Sequence, residues 1–322
     1  MRKAAWLLAA AAIGIAHALP AFAQQWPDKT VRILVPFPPG GGTDIQARLL
    51  SAAFQKSMGQ NFIIDNRTGA NGLIASQIAV DSPPDGNTIL FTSGSISVVA
   101  TLNAKQMKFN IYNDLVPVSW ISSTPLVLTL HPSVPAKSVK ELVALAKRAP
   151  NPMNAGGNTA GSTAHLTAEM FNQVVGIHST VVTYRGGGPA VIALISGEID
   201  YIFATAPSIM PHIKSGKARP IAVTTPKRSS ALPDLPTMNS IYPGFESDNW
   251  YAMFYPKGTP RPIVDKLHAE IKKALDTPEI KAFYPREALD PVASTPEELT
   301  ALLRQEIEKY AKVIRLAGIK VD

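Results

Sequence analysis

Three segments of this 322-residue chain share a design that can hold an anion. They are Pro36-Phe37-Pro38-Pro39-Gly40-Gly41-Gly42-Thr43-Asp44, Gly156-Gly157-Asn158-Thr159-Ala160-Gly161-Ser162-Thr163 and Tyr184-Arg185-Gly186-Gly187-Gly188-Pro189. Each follows a strand-like run, is rich in glycine and opens a helical pattern. Glycine lets backbone N–H groups come close to a ligand, and a helix N-terminus adds about half a positive elementary charge. Such turns at the carboxyl ends of parallel strands form the ligand sites of open α/β sheets. Gly69-Ala70-Asn71-Gly72 is a weaker fourth case. One such loop alone is as readily a plain connection. Three of them in two α/β units point to a ligand held between the units. A Cβ at Gly41 or Gly42 is expected to push into the ligand space or to force an unfavourable φ.

Other chemistries lack their residues. No loop carries the Gly-Lys-Ser/Thr of a nucleotide P-loop, and the G-x-G-x-x-G fingerprint fails because Val191 and Ile45 occupy its last position. There is no Gly-x-Ser-x-Gly elbow and no His-Glu-x-x-His. His165 and Glu169, four apart on a helix, could share a metal, but a packed or solvated helix face explains one such pair better. Cysteine is absent, which excludes disulfides, thiolate metal sites and a thiol nucleophile. No enzyme activity, metal or cofactor is therefore expected. Asp44, in the first turn of a helix, serves equally as a cap or as a group ordering water at the ligand. The formal charge is +7, and removal of Arg2 and Lys3 with a leader leaves +5. This excess is scattered, which fits a small anion and not nucleic acid.

The elements that carry these loops follow from periodicity. Met1-Arg2-Lys3, the apolar run Ala4 to Ile15 and the Ala21-x-Ala23 box read as a secretory signal peptide over residues 1–23. Cleavage after Ala23 sends the chain to the periplasm, with no membrane anchor. Val31 to Phe37, Phe62 to Ile64 and Thr88 to Thr92 read as strands. The helices between them are one with Ile45, Leu49, Ala53 and Phe54 facing inward, ended by Gly59, and one over Leu73 to Val80. Continuous apolar strands in βαβ alternation predict a parallel sheet covered on both faces. The rhythm restarts with strands at Leu126 to Leu130, Thr180 to Tyr184, Ile199 to Ala204 and Ile221 to Thr224. A helix capped by Ser138 and Glu141 carries Leu142, Leu145 and Ala146 inward. Another over Ala164 to Val175 carries Leu166, Met170, Phe171 and Val174. Residues 154–162 read as a glycine-rich loop. The tail is helical, with Pro262 in a first turn, a second capping box at Thr295 and Glu298, and a stripe from Leu299 to Ile314. Pro117 to Pro125 and Ser247 to Pro256 are candidate crossings between the two units.

In order along the chain, several segments match a known pattern. These are Trp26-Pro27, Val35 to Asp44, Asn66-Arg67-Thr68-Gly69-Ala70-Asn71-Gly72, Pro84-Asp85-Gly86-Asn87-Thr88, Tyr184 to Pro189 and Gly197-Glu198-Ile199-Asp200. Ser215-Gly216-Lys217 through Thr224, Leu232 to Thr237 and Pro256 to Pro260 complete the set. With them the chain resembles the Bug, or TctC-like, extracytoplasmic solute receptors of tripartite tricarboxylate transport systems. The resemblance implies an α/β, two-domain periplasmic binding protein of type II, a Venus flytrap with two crossing strands. Its domains would be 24–122 plus 248–322 and 123–247, with the ligand cleft between them. It implies a small carboxylate ligand (a dicarboxylate, tricarboxylate, acidic amino acid or aromatic acid), membrane transporter subunits as partners, and a monomer. A sensing protein that passes its bound state to a membrane signalling partner is the alternative. By this resemblance Phe37, Gly41, Gly42 and Asp44 belong to the ligand loop. Ser93, Gly94, Asn158, Ser162, Thr163, His165, Tyr184, Arg185, Gly187 and Gly188 join them. Ala70 comes from the weaker fourth loop, and Asp200 and Thr205 are expected at the cleft edge. Asn71 stands where the family often has glycine.

Overall fold

The computed structural model describes residues 26–104 and 106–317. The leader read over 1–23 lies outside them. Among the described residues no helix is long and apolar enough to cross a membrane. The chain runs β1 (Val31–Val35), α1 (Gly42–Met58), β2 (Phe62–Asn66), a 3-10 turn (Ala70–Gly72), α2 (Leu73–Val80), β3 (Thr88–Ser93), α3 (Ser95–Leu102), α4 (Ile111–Asp114) and β4 (Leu115–Leu130). It continues with α5 (Val139–Arg148), β5 (Asn154–Gly157), α6 (Thr163–Val175), β6 (Thr180–Thr183), α7 (Gly187–Ile195), β7 (Tyr201–Thr205), α8 (Ala206–Lys214), β8 (Arg219–Val223) and α9 (Met238–Ile241). It ends with β9 (Asp248–Pro256), α10 (Arg261–Leu275), α11 (Pro278–Arg286), β10 (Asp290–Pro291) and α12 (Pro296–Ala317).

The strands line up as β2-β1-β3-β9-β4-β7-β5-β6, with β8 and β10 also paired to β4. Strands β2, β1 and β3 are parallel, and so are β7, β5 and β6. Strands β4 and β9 run antiparallel to their neighbours, so the sheet is mixed and not parallel throughout. The sixteen residues of β4 belong to both halves. Leu115 to Pro125 pairs with β9 in the first half, and Leu126 to Leu130 pairs with β7 and β8 in the second. Its register shifts near Pro117 and Trp120. Strand β9 stays in the first half, and the chain returns to that half at Ser247, whose N–H donates to the Thr224 carbonyl.

Each half has its own core. Val31, Ile33, Leu50, Phe54, Leu267 and Tyr284 pack in the first, and Leu128, Leu142, Phe171, Phe203 and Phe245 in the second. A small apolar cluster bridges the halves, made by Val98 of α3, Leu166 of α6, and Tyr310 and Ile314 of α12. The Thr295 capping box forms in both directions, Thr295 Oγ1 accepting from Glu298 N–H and Glu298 Oε2 from Thr295 N–H.

Three readings need correction. The inner face of α1 is Gln46, Ala47, Leu50, Ser51 and Phe54, and Leu49 and Ala53 are only half-buried beside it. In α6 it is Val175 that is buried, whereas Val174 is exposed. Residues 154–157, read as loop, form β5 next to β7. A Cβ on Gly156 would come within 3.1 Å of Ile202 and overlap Ile199, so this strand is built of glycine to let neighbours close on it.

Candidate functional site

Five helices begin at one place between the two halves. Helices α1, α3, α6, α7 and α8 open directly after β1, β3, β5, β6 and β7, with N-caps Gly41, Gly94, Ser162, Gly186 and Thr205. Their first turns surround a cavity of about 30 Å³, which has room for about two water-sized groups, as many as the oxygens of one carboxylate. The first N–H groups of a helix have no partner inside it, so several such donors and positive dipole ends meet here. None of the side chains on the wall is charged: the polar ones are Thr43, Ser93, Ser95, Asn158, Ser162, Thr163, Thr205, Asn249 and Tyr251.

Asn158 Oδ1, Thr163 Oγ1 and the Tyr251 hydroxyl are buried without a hydrogen bond. The Tyr251 hydroxyl lies near the side chains of Asn249, Thr205 and Gln46 but is in hydrogen-bonding geometry with none of them. Complete burial pushes its pKa up to about 12, so it is a neutral donor at every ordinary pH. Buried polar atoms of this kind cost about 1–3 kcal/mol each when unsatisfied; the two hydroxyls can donate to an anion, whereas Asn158 can do so only through its Nδ2. Among the described residues no group of three His, Asp or Glu side chains could hold a metal ion.

The structure divides the expected site residues into three sets. Phe37, Gly41, Gly42, Ser93, Asn158, Ser162, Thr163, Gly187 and Thr205 line the cavity. Ala70, Tyr184 and Arg185 line a separate outer chamber of about 710 Å³ at the rim, along with Thr68 and Thr159. The others, Asp200 apart, support the walls. A Cβ on Gly94 would come within 2.9 Å of Trp250 Nε1, and one on Gly188 within 2.8 Å of the Pro39 carbonyl, so both glycines allow close packing. The Asp44 carboxylate accepts two bonds from Arg48 and one each from Asn66 Nδ2 and Gly40 N–H. Burial opposes its ionisation, but these bonds outweigh burial and hold its pKa below the ordinary value. Asp44 thus braces the loop, helped by Asn66 Nδ2 donating to the Phe37 carbonyl. His165 Nδ1 accepts from Gly161 N–H, and burial pushes its pKa below 6.5, so it is neutral at pH 7. Its 3.8 Å approach to Glu169 is then no ion pair.

Asp200 is misplaced by the sequence reading. It precedes β7, where its carboxylate accepts from Asn154 N–H. Five residues of extended chain, about 16 Å, separate it from Thr205 at the cavity end of the strand. The reading missed Thr43, Ser95, Asn249 and Tyr251. Thr43 lay within the first loop already singled out, and Ser95 directly after the Ser93-Gly94 pair. Asn249 and Tyr251 sit in β9, which no local motif marks.

The halves meet above the cavity. Built onto Gly41, a Cβ would lie 3.8 and 3.9 Å from the backbone nitrogens of Gly188 and Gly187. Asn71 Nδ2 donates to the Gly161 carbonyl at 2.7 Å, and Thr163 N–H reaches Ser95 Oγ at 3.5 Å.

Residues 46–319 match the family model described as the tripartite tricarboxylate transporter family receptor. Protein BugT of Bordetella pertussis is 35% identical over 320 residues, 98% of either chain. A solved structure of R. palustris Rpa4515 with adipate is 33% identical, covers 92% of this chain and 99% of its own, and superposes with a TM-score of 0.88. MatC from Rhodopseudomonas palustris with bound malate is 29% identical, covers 90% and 99%, and gives a TM-score of 0.83.

Proposed function

Because the chain belongs to the tripartite tricarboxylate transporter family of receptors, we propose that it captures a small carboxylate in the periplasm and delivers it to a membrane transporter. A dicarboxylate is the favoured class, since two similar structures hold adipate and malate. The observation that carries this reading is the meeting of five helix N-termini around a cavity with no charged wall. A carboxylate there would be held by backbone N–H groups, hydroxyls and the Asn158 amide. It needs no cation, because the dipole ends supply the positive potential. Residues 24–122 with 248–322 and residues 123–247 serve in this reading as two lobes closing on the ligand. A diacid is larger than the cavity as it stands, so capture requires the lobes to part and close again. The N-terminal leader directs export.

A thermal-shift and calorimetric screen of adipate, malate and other carboxylates tests the class. A ligand at one hundred times its dissociation constant should add about 2.7 kcal/mol of stability. Binding of a neutral sugar with no response to any carboxylate would refute the proposal.

The neutral wall also fixes a pH dependence. Above about pH 7 an aliphatic diacid is fully ionised and His165 is already neutral, while Tyr251 titrates only near pH 12. Calorimetric affinity is therefore expected to stay constant between about pH 7 and 10. A fall by tenfold across that range would mean that a cationic side chain shares the ligand.

A further inference from the structure

Four consecutive residues at the cleft rim have positive φ: Gly69 at 132°, Ala70 at 44°, Asn71 at 51° and Gly72 at 97°. The glycines adopt this freely, but Ala70 and Asn71 bear side chains in the left-handed region, where a Cβ crowds the following carbonyl. Such a turn persists only where its surroundings hold it. What holds this one is visible. The Asn71 side chain is buried, with Nδ2 donating to the Gly161 carbonyl of the opposite half at 2.7 Å. Its Oδ1 is buried without a hydrogen bond, so the cross-cleft bond is the one hydrogen bond the side chain makes.

Gly161 lies in the segment that walls the cavity. Asn158 and Ser162 on either side of it line that cavity. Gly161 N–H donates to His165 Nδ1, Ser162 N–H to the Thr159 carbonyl, and Ser162 Oγ caps α6 by accepting from His165 N–H. Asn71 itself does not line the cavity. We propose that Asn71 is a positioning residue: it clasps the Gly161 segment from across the cleft, holds the wall of the site closed, and sets how fast a captured ligand leaves. The ligand half of this inference rests on the receptor reading given above, whereas the clasp does not.

Two variants and two readouts test it. Asn71→Gly relieves the left-handed strain and removes the clasp. Asn71→Asp keeps the size of the side chain but presents an oxygen, which cannot donate, to the Gly161 carbonyl. In the full mature protein without ligand, hydrogen exchange of the backbone amides from 161 to 166 is expected to speed up about tenfold in both variants, the loss of one hydrogen bond. Exchange in β1 and β3 should not quicken and the urea midpoint of Asn71→Gly should not fall, which separates the clasp from general destabilisation. With adipate as probe, stopped-flow dissociation should quicken about tenfold while association changes little. Unchanged exchange at 161–166 in both variants overturns the clasp whatever binds. Faster exchange with unchanged adipate dissociation overturns the control of release. If no carboxylate of the screen binds wild type, the carboxylate reading fails and the exchange result still decides the clasp.

Discussion

Replacing Gly42 by alanine is expected to abolish ligand capture, with affinity for a bound dicarboxylate falling more than about a hundredfold, or about 2.7 kcal/mol. The added Cβ would overlap the Tyr251 hydroxyl and come within 2.8 Å of Thr205 Oγ1, two polar groups of the cavity wall. Neither can step aside easily. Tyr251 is buried and stacked on Phe91 at 6.2 Å, and Thr205 Oγ1 lies 3.0 Å from Ser208 Oγ. Gly41→Ala is the control. Gly41 has φ −80° and ψ 160°, a conformation open to any residue, and its Cβ would meet nothing nearer than 3.7 Å. That variant should bind within a few-fold of wild type. Overpacking at Gly42 should also cost some stability, of order 1–3 kcal/mol, which urea titration measures separately. Equal affinity in Gly42→Ala and wild type would show that the ligand lies elsewhere. The sequence reading treated the two glycines alike; only the space around each tells them apart.

The largest loss of stability is expected from Leu50→Ala. Leu50 is fully buried in the first core, and its truncation should cost about 2–5 kcal/mol while leaving the intrinsic affinity of the folded fraction unchanged. Leu49→Ala, at the half-buried edge of the same helix, should cost clearly less. Chemical denaturation of the two variants side by side makes the comparison. A Leu49→Ala cost equal to that of Leu50→Ala would restore the helix face first read from periodicity.

That face was misread for a physical reason. The true inner face of α1 contains Gln46 and Ser51, which look like solvent positions. Both find partners inside: Gln46 Oε1 accepts from Ser122 Oγ at 2.6 Å and from the Tyr284 hydroxyl at 3.2 Å, though its Nε2 is buried without a hydrogen bond, and Ser51 Oγ donates to the Phe62 carbonyl. The neighbouring stripe of Ile45, Leu49 and Ala53 was more apolar and drew the assignment. Glycine misled in the same way at β5, where a strand built for close approach has the composition of a loop. The glycine-rich turns were legible because their function depends on local backbone, and local backbone is written in local residues. Tyr251 and Asn249 were not, because a strand distant in sequence brings them to those turns. Asp200 fell on the wrong side for a related reason. Its place in a recognised motif says nothing about which end of β7 it occupies.

Strand β9 has one more consequence, for the order in which the molecule is made. It sits between β3 and β4, pairing Leu90 with Phe254 and Leu115 with Pro256, partners about 140 to 160 residues apart. Everything from the end of β4 to Ser247, the whole second half, must emerge before this central position can be filled. Until then β3 and β4 each present an unpaired edge, and the first sheet stays incomplete. Contacts this distant in sequence make closure slow. A chain read as carrying an export leader thus postpones the contacts that would lock its first half until nearly all of it has been synthesised.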